Sequence, residues 1–157
     1  QPSGASMSLS RTTVVSVLLG TLLLVSGWFL VSGYSESTLQ ERAEQGDADS
    51  QATLAHMYRT GEGVPRDDAK AVKWYRMAAE QGVASSQAVL AHMYRTGEGV
   101  PKSLLQSYAW FAVAAFGGQR KAGESRDQVK QDVGPELMRE AELLAAEYIE
   151  KYGRKPE

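Results

Sequence analysis

Part of this chain is written twice. Ala43–Pro65 recurs 36 residues later as Ala79–Pro101, and 20 of the 23 positions are identical. The three exceptions are Asp47/Val83, Asp49/Ser85 and Thr53/Val89. A fixed period of this size points to stacked units, none of which can bury its own apolar face alone. The predicted fold is therefore all-α, a short α-solenoid of helix-turn-helix repeats.

Within each copy the pattern predicts two helices. Helix A spans about Asp47–Thr60, then Ala84–Thr96, with an expected inward face of Ala48, Gln51, Leu54, Ala55 and Tyr58 near a 3.6-residue period. Gly61 and Gly63 end it, because glycine accepts a left-handed cap without steric cost. Pro65 keeps the chain extended until Asp67 caps helix B. Helix B is expected to bury Ala71, Trp74, Tyr75 and Ala78, and Gly82 closes it. In the second copy Ser103–Gln106 has the form of a capping box, with Trp110, Phe111 and Ala114 at the matching core positions.

These elements resemble the Sel-one-like repeats (SLR), relatives of the tetratricopeptide repeats. The residues that carry the resemblance are Leu54-Ala55, Tyr58, Gly61-Glu62-Gly63-Val64, Asp67, Lys70-Ala71, Trp74-Tyr75 and Ala78-Ala79 with Gly82. The likeness covers about Leu39–Gly118. Two departures stand out: Ala55 and Ala91 replace a usual glycine, which should widen that crossing, and Lys70-Ala71 becomes Gln106-Ser107. The second departure suggests that the second unit lies nearer the end of the stack. The resemblance implies a concave surface lined by helix A.

The period divides the rest of the chain. Residues 34–46 are expected to hold a linker and a partial leading helix, residues 47–82 repeat one and residues 83–118 repeat two. Residues 119–157 hold a partial third repeat and a capping helix. Gln119–Asp132 takes the place of a third helix A, and Gly134-Pro135 stops it. The last helix, Glu136–Tyr152, is expected to turn Leu137, Ala141, Leu144, Ala145 and Tyr148 toward the core and a mainly charged face outward.

Ahead of the repeats, residues 1–11 read as a disordered lead-in, and residues 12–33 as a transmembrane helix. Thr12–Val31 runs 20 residues without a charge, about 30 Å of helix, the thickness of a bilayer's hydrocarbon core. Trp28 and Tyr34 lie toward its far end, where amphipathic rings favour the interface. A signal peptide is the rival reading, with Val31-Ser32-Gly33 as a weak cleavage site, but its apolar core is normally about 7–15 residues. Arg11 before the span, and Glu36 and Glu41 after it, place the N-terminus in the cytoplasm and the repeats outside it. Thr13, Ser16, Gly20 and Gly27 fall near one face and would let a second membrane helix approach closely. Small residues are also simply common in membrane helices.

Chemistry is sparse. A net charge of -2 from 17 basic and 19 acidic residues leaves no footprint for nucleic acid, and the absence of cysteine excludes disulfides, thiolate metal sites and cysteine nucleophiles. The two histidines, His56 and His92, are equivalent positions one period apart. With Thr53, Met57, Thr60, Val89, Met93 and Thr96 they form the face opposite the predicted core. Stacked helices stand about 10 Å apart, too far for both imidazoles to share one ion. No nucleophile triad, phosphate loop or metal-spaced cluster is present. Neither a catalytic residue, a cofactor nor a small-molecule substrate is expected.

The function expected is therefore non-catalytic contact with other proteins. In one version the protein is an accessory subunit of a bacterial inner-membrane complex, lipid-embedded through residues 12–33 with its repeats in the periplasm. In the other it is a free-standing periplasmic adaptor that binds peptides or envelope proteins transiently. A hydrolase or metal-binding enzyme is the remote third reading.

Overall fold

In the computed structural model, residues 37–153 are described. The expected membrane span, with its docking face of Thr13, Ser16, Gly20 and Gly27, lies outside them. The residues from Leu39 onward form one compact unit, and the described residues are helical with no strand. Helix α1 covers residues 37–44. It is followed by α2 (Ala48–Thr60), α3 (Asp68–Glu80), α4 (Ala84–Thr96), α5 (Leu104–Phe116) and α6 (Arg120–Tyr152). Among the described residues, none of the helices is long and apolar enough to cross a membrane.

The caps follow from local chemistry. The side chains of Asp47, Asp67 and Ser103 each accept the third backbone N–H of the helix they open. Gly61 and Gly97 end α2 and α4 at φ of 80° and 83°, where any side chain would be strained. The expected capping box is only half made. Ser103 takes the Gln106 N–H, while the Gln106 carboxamide instead accepts the Tyr148 hydroxyl at 2.9 Å.

From α2 onward each helix packs on its neighbour in sequence, with the broadest contact between α5 and α6. Leu54, Ala55, Ala71, Trp74 and Tyr75 form the core of the first unit, and Leu90, Ala91, Trp110 and Phe111 that of the second. Ser50 rather than Ala48 completes the buried face of α2. α6 is two arms. Gly134, at φ 75° and ψ 164°, breaks the helical path, and Pro135 starts the second arm. The first arm occupies the place of a third helix A, with Ala122, Val129 and Val133 buried. The second arm buries Ala141 and Ala145. Leu137 was expected inward but is 49% exposed, and in the same turn it is Met138 that packs against the core.

Candidate partner-binding face

The face opposite the core on α2 and α4 holds most of the residues expected there. Thr53, His56 and Thr60 on α2 are exposed, as are His92 and Thr96 on α4, and Val89 is half-buried. Their rows match because the helices repeat every 36 residues. Met93 is a correction to the expected face: it is 0% exposed and belongs to the core. Its equivalent Met57 is half-buried, packed against the core. The period of one helix separates its inside from its outside, but it does not show which residues at the margin the core takes in.

The face is short, polar and self-contained. Thr53, Thr60 and Thr96 each donate their hydroxyl to the carbonyl four residues earlier, at 2.8, 3.0 and 3.1 Å. Donation leaves the oxygen lone pairs able to accept, and Thr60 uses one for the Glu62 N–H at 3.3 Å. The two imidazoles are then the groups best able to contact a partner, since each ring can donate and accept. A third rung went unseen in the sequence. Continuing the period from His56 and His92 leads to Gln128, and from Thr60 and Thr96 to Asp132, both exposed on the first arm of α6. Arg95 Nη1 donates to Gln128 Oε1 at 3.4 Å and ties that rung to α4. The signal was the period itself, hidden because the residue types change.

Away from this face, several charged and phenolic groups are held in internal contacts. Arg66 donates to both Asp68 oxygens at 2.9 and 3.0 Å and reaches Glu98 across the unit boundary at 3.3 Å. Asp68 beside it pushes the Arg66 guanidinium above its ordinary range. Burial raises the Tyr75 phenol, opposed by its hydrogen bond with Arg59. Burial likewise raises the Tyr94 phenol, which accepts a hydrogen bond from Arg76. Among the described residues no three His, Asp or Glu side chains stand close enough together to hold a metal ion. A shallow pocket of about 230 Å³ opens between the end of α3 and the end of α6, lined by Glu80, Gln81, Gly82, Lys151, Tyr152 and Gly153. Its walls hold no paired acid and base around a nucleophile.

Paired antiparallel helices in register, stacked around an alanine and aromatic core, define an α-solenoid repeat protein. A model of the Sel1 repeat matches residues 48–83 and 84–115, and the chain belongs to the Sel1-repeat family. A Sel1 repeat protein from Oxalobacter formigenes is 32% identical with a TM-score of 0.55, over 71% of this chain and 87% of that one. A protective antigen of uropathogenic Escherichia coli with an SLR fold is also 32% identical, with a TM-score of 0.72 over 75% of this chain. The chain spans 26% of the length of that antigen. No curated protein matches. Sel1 repeats mediate protein–protein interaction, and their family is typically non-catalytic.

Proposed function

We propose that this protein is a non-catalytic interaction module that holds another protein through the face of α2 and α4. The observation that carries this is the exposed, in-register pair His56 and His92 on a rigid stack. Residues 12–33 anchor the module in the bacterial inner membrane, with the repeats on the periplasmic side. It serves there as an accessory subunit of a membrane complex. The uncharged 20-residue run and its flanking charges support the anchor. Three rungs make a short surface, which favours one fixed contact over a long wrapped peptide.

Purification from native membranes in mild detergent tests the reading. The protein is expected to co-migrate with one complex at a fixed ratio, and the double variant His56→Glu/His92→Glu to lose that complex while keeping its helical circular-dichroism spectrum. Recovery with many partners at varying ratio would favour the transient adaptor instead.

A further inference from the structure

The two copies differ in exposure where they do not differ in sequence. Met57 is half-buried and Glu62 exposed, whereas Met93 is fully buried and Glu98 half-buried. At one of the three positions that do differ in sequence, Thr53 is exposed and Val89 half-buried. The third position of the methionine row is Val129, on the first arm of α6, and it is 0% exposed. No later helix A follows it among the described residues, so burial of this row does not need a following unit.

In the second unit that side is filled by the start of α3. Arg66 reaches Glu98 at 3.3 Å. The backbone of Gly99 lies so close to the Asp68–Ala69 peptide that an added Cβ would stand 2.2 Å from the Asp68 oxygen. In the first unit the loop Thr60–Pro65 has the same sequence as Thr96–Pro101. There a Cβ at Gly63 would meet, among the described residues, only the Met57 methyl at 3.1 Å. One period before Arg66 the chain has Leu30, and Arg11 is the only basic residue before residue 37. The chain has no cation at the register position that would match Glu62.

We propose that this end of the stack, formed by Thr53, Met57 and Glu62, docks a helix of a partner protein. That helix carries an arginine or lysine beside its first turn. It stands to Glu62 and Met57 as Arg66 and the start of α3 stand to Glu98 and Met93. The occupant continues an interface already present inside the molecule and supplies the charge that Glu62 lacks. The inference rests on the reading of the protein as an interaction module but moves the contact from the α2/α4 face to the stack's edge.

The test uses the full chain in detergent with methyl-labelled methionine. The probe is a helix-stabilised synthetic peptide of residues 64–80, the segment that fills the equivalent edge of the second unit. Before peptide is added, hydrogen peroxide is expected to oxidise Met57 faster than Met93. Equal protection would mean that the chain's own residues fill the edge, and overturns the proposal. Added peptide is expected to shift the Met57 methyl signal and leave that of Met93 in place. Glu62→Arg should weaken binding about five- to tenfold, and a peptide with Arg66→Glu should recover it on that variant. No shift at Met57, or binding indifferent to Glu62→Arg, overturns the proposal. The His56→Glu/His92→Glu variant separates the two sites. It should leave the peptide bound, and loss of the peptide there would place the helix on the α2/α4 face instead. If the peptide binds at the edge while no complex depends on the histidines, the functional reading fails and the edge stands.

Discussion

Val83 stands one period after Asp47, and that single difference removes two interactions. Asp47 accepts the Ser50 N–H at 3.2 Å and the Ser50 hydroxyl, whereas α4 opens with no side-chain cap and the buried Ser86 hydroxyl has no partner. Val83 already has the backbone a cap needs, φ -74° and ψ 100° against -67° and 109° at Asp47. Val83→Asp is therefore expected to stabilise the protein by ~1 kcal/mol in urea unfolding, and no gain would contradict this account of the cap. The Ser50 hydroxyl bond is the main reason the Asp47 carboxyl is held below its ordinary range. A carboxyl whose folded pKa is depressed stabilises above its unfolded pKa and loses that contribution as pH falls through the folded value. The gain from Val83→Asp should fade on acidification in the same way. The glycines of the two loops offer a second contrast. Alanine is strained at both, with φ of 77° at Gly63 and 68° at Gly99. Only at Gly99 does it also collide with backbone, while at Gly63 it meets the movable end of Met57. Gly99→Ala should cost ~1–3 kcal/mol more than Gly63→Ala in thermal unfolding, and equal losses would show that the unit boundary is looser than described.

Helices in this stack are joined by buried glutamines as well as by apolar packing. Gln51 Nε2 donates to Ala43 O and Gln87 Nε2 to Ala79 O, both at 3.0 Å, so each helix A holds a carbonyl near the end of the preceding helix B. Gln87 also donates to Tyr152 O at 3.2 Å and so ties the end of α6 to the start of α4. Trp110, Tyr148 and Tyr152 pack together with ring centroids 5.0 to 5.5 Å apart, fastening the second arm of α6 to α5. Gln87→Leu would leave two carbonyls without this donor, at ~1–3 kcal/mol for each one that stays buried. Amide exchange over residues 141–153 should quicken in that variant before exchange in α2 does, and uniform quickening would contradict a local clasp. Much of this was legible beforehand. The helix ends followed from Gly61, Asp67 and Gly82, and the core of helix B from Ala71, Trp74, Tyr75 and Ala78. The glutamines were placed inward without a role, because a hydrogen bond to a neighbouring unit leaves no trace in one helix's periodicity. Met93 was missed as well, since the period of one helix puts it outside while the core takes it in. Gln106 and Ser107, read as a sign that the stack is ending, sit where α6 closes over α5. Gln106 holds Tyr148, while the buried Ser107 hydroxyl has no partner.

On the scale of the whole molecule, the same 36-residue step builds the core, the face and the open edge. Identical residues are buried in the second unit and less so in the first, where among the described residues only the short α1 precedes them, as Met93 and Met57 show. A stack of this kind offers surfaces and positions them rigidly, and among the described residues it gathers no cluster suited to hold a metal ion. On the function proposed above, such a stack works by contact with a partner. Photo-crosslinking in native membranes tests this most directly, with the photoreactive residue placed at His56, at His92, or at Lys73, a side chain exposed on α3. The account predicts one discrete crosslinked product from His56 and the same product from His92, with none from Lys73. Products from Lys73 alone, or no product from either histidine position, would contradict it.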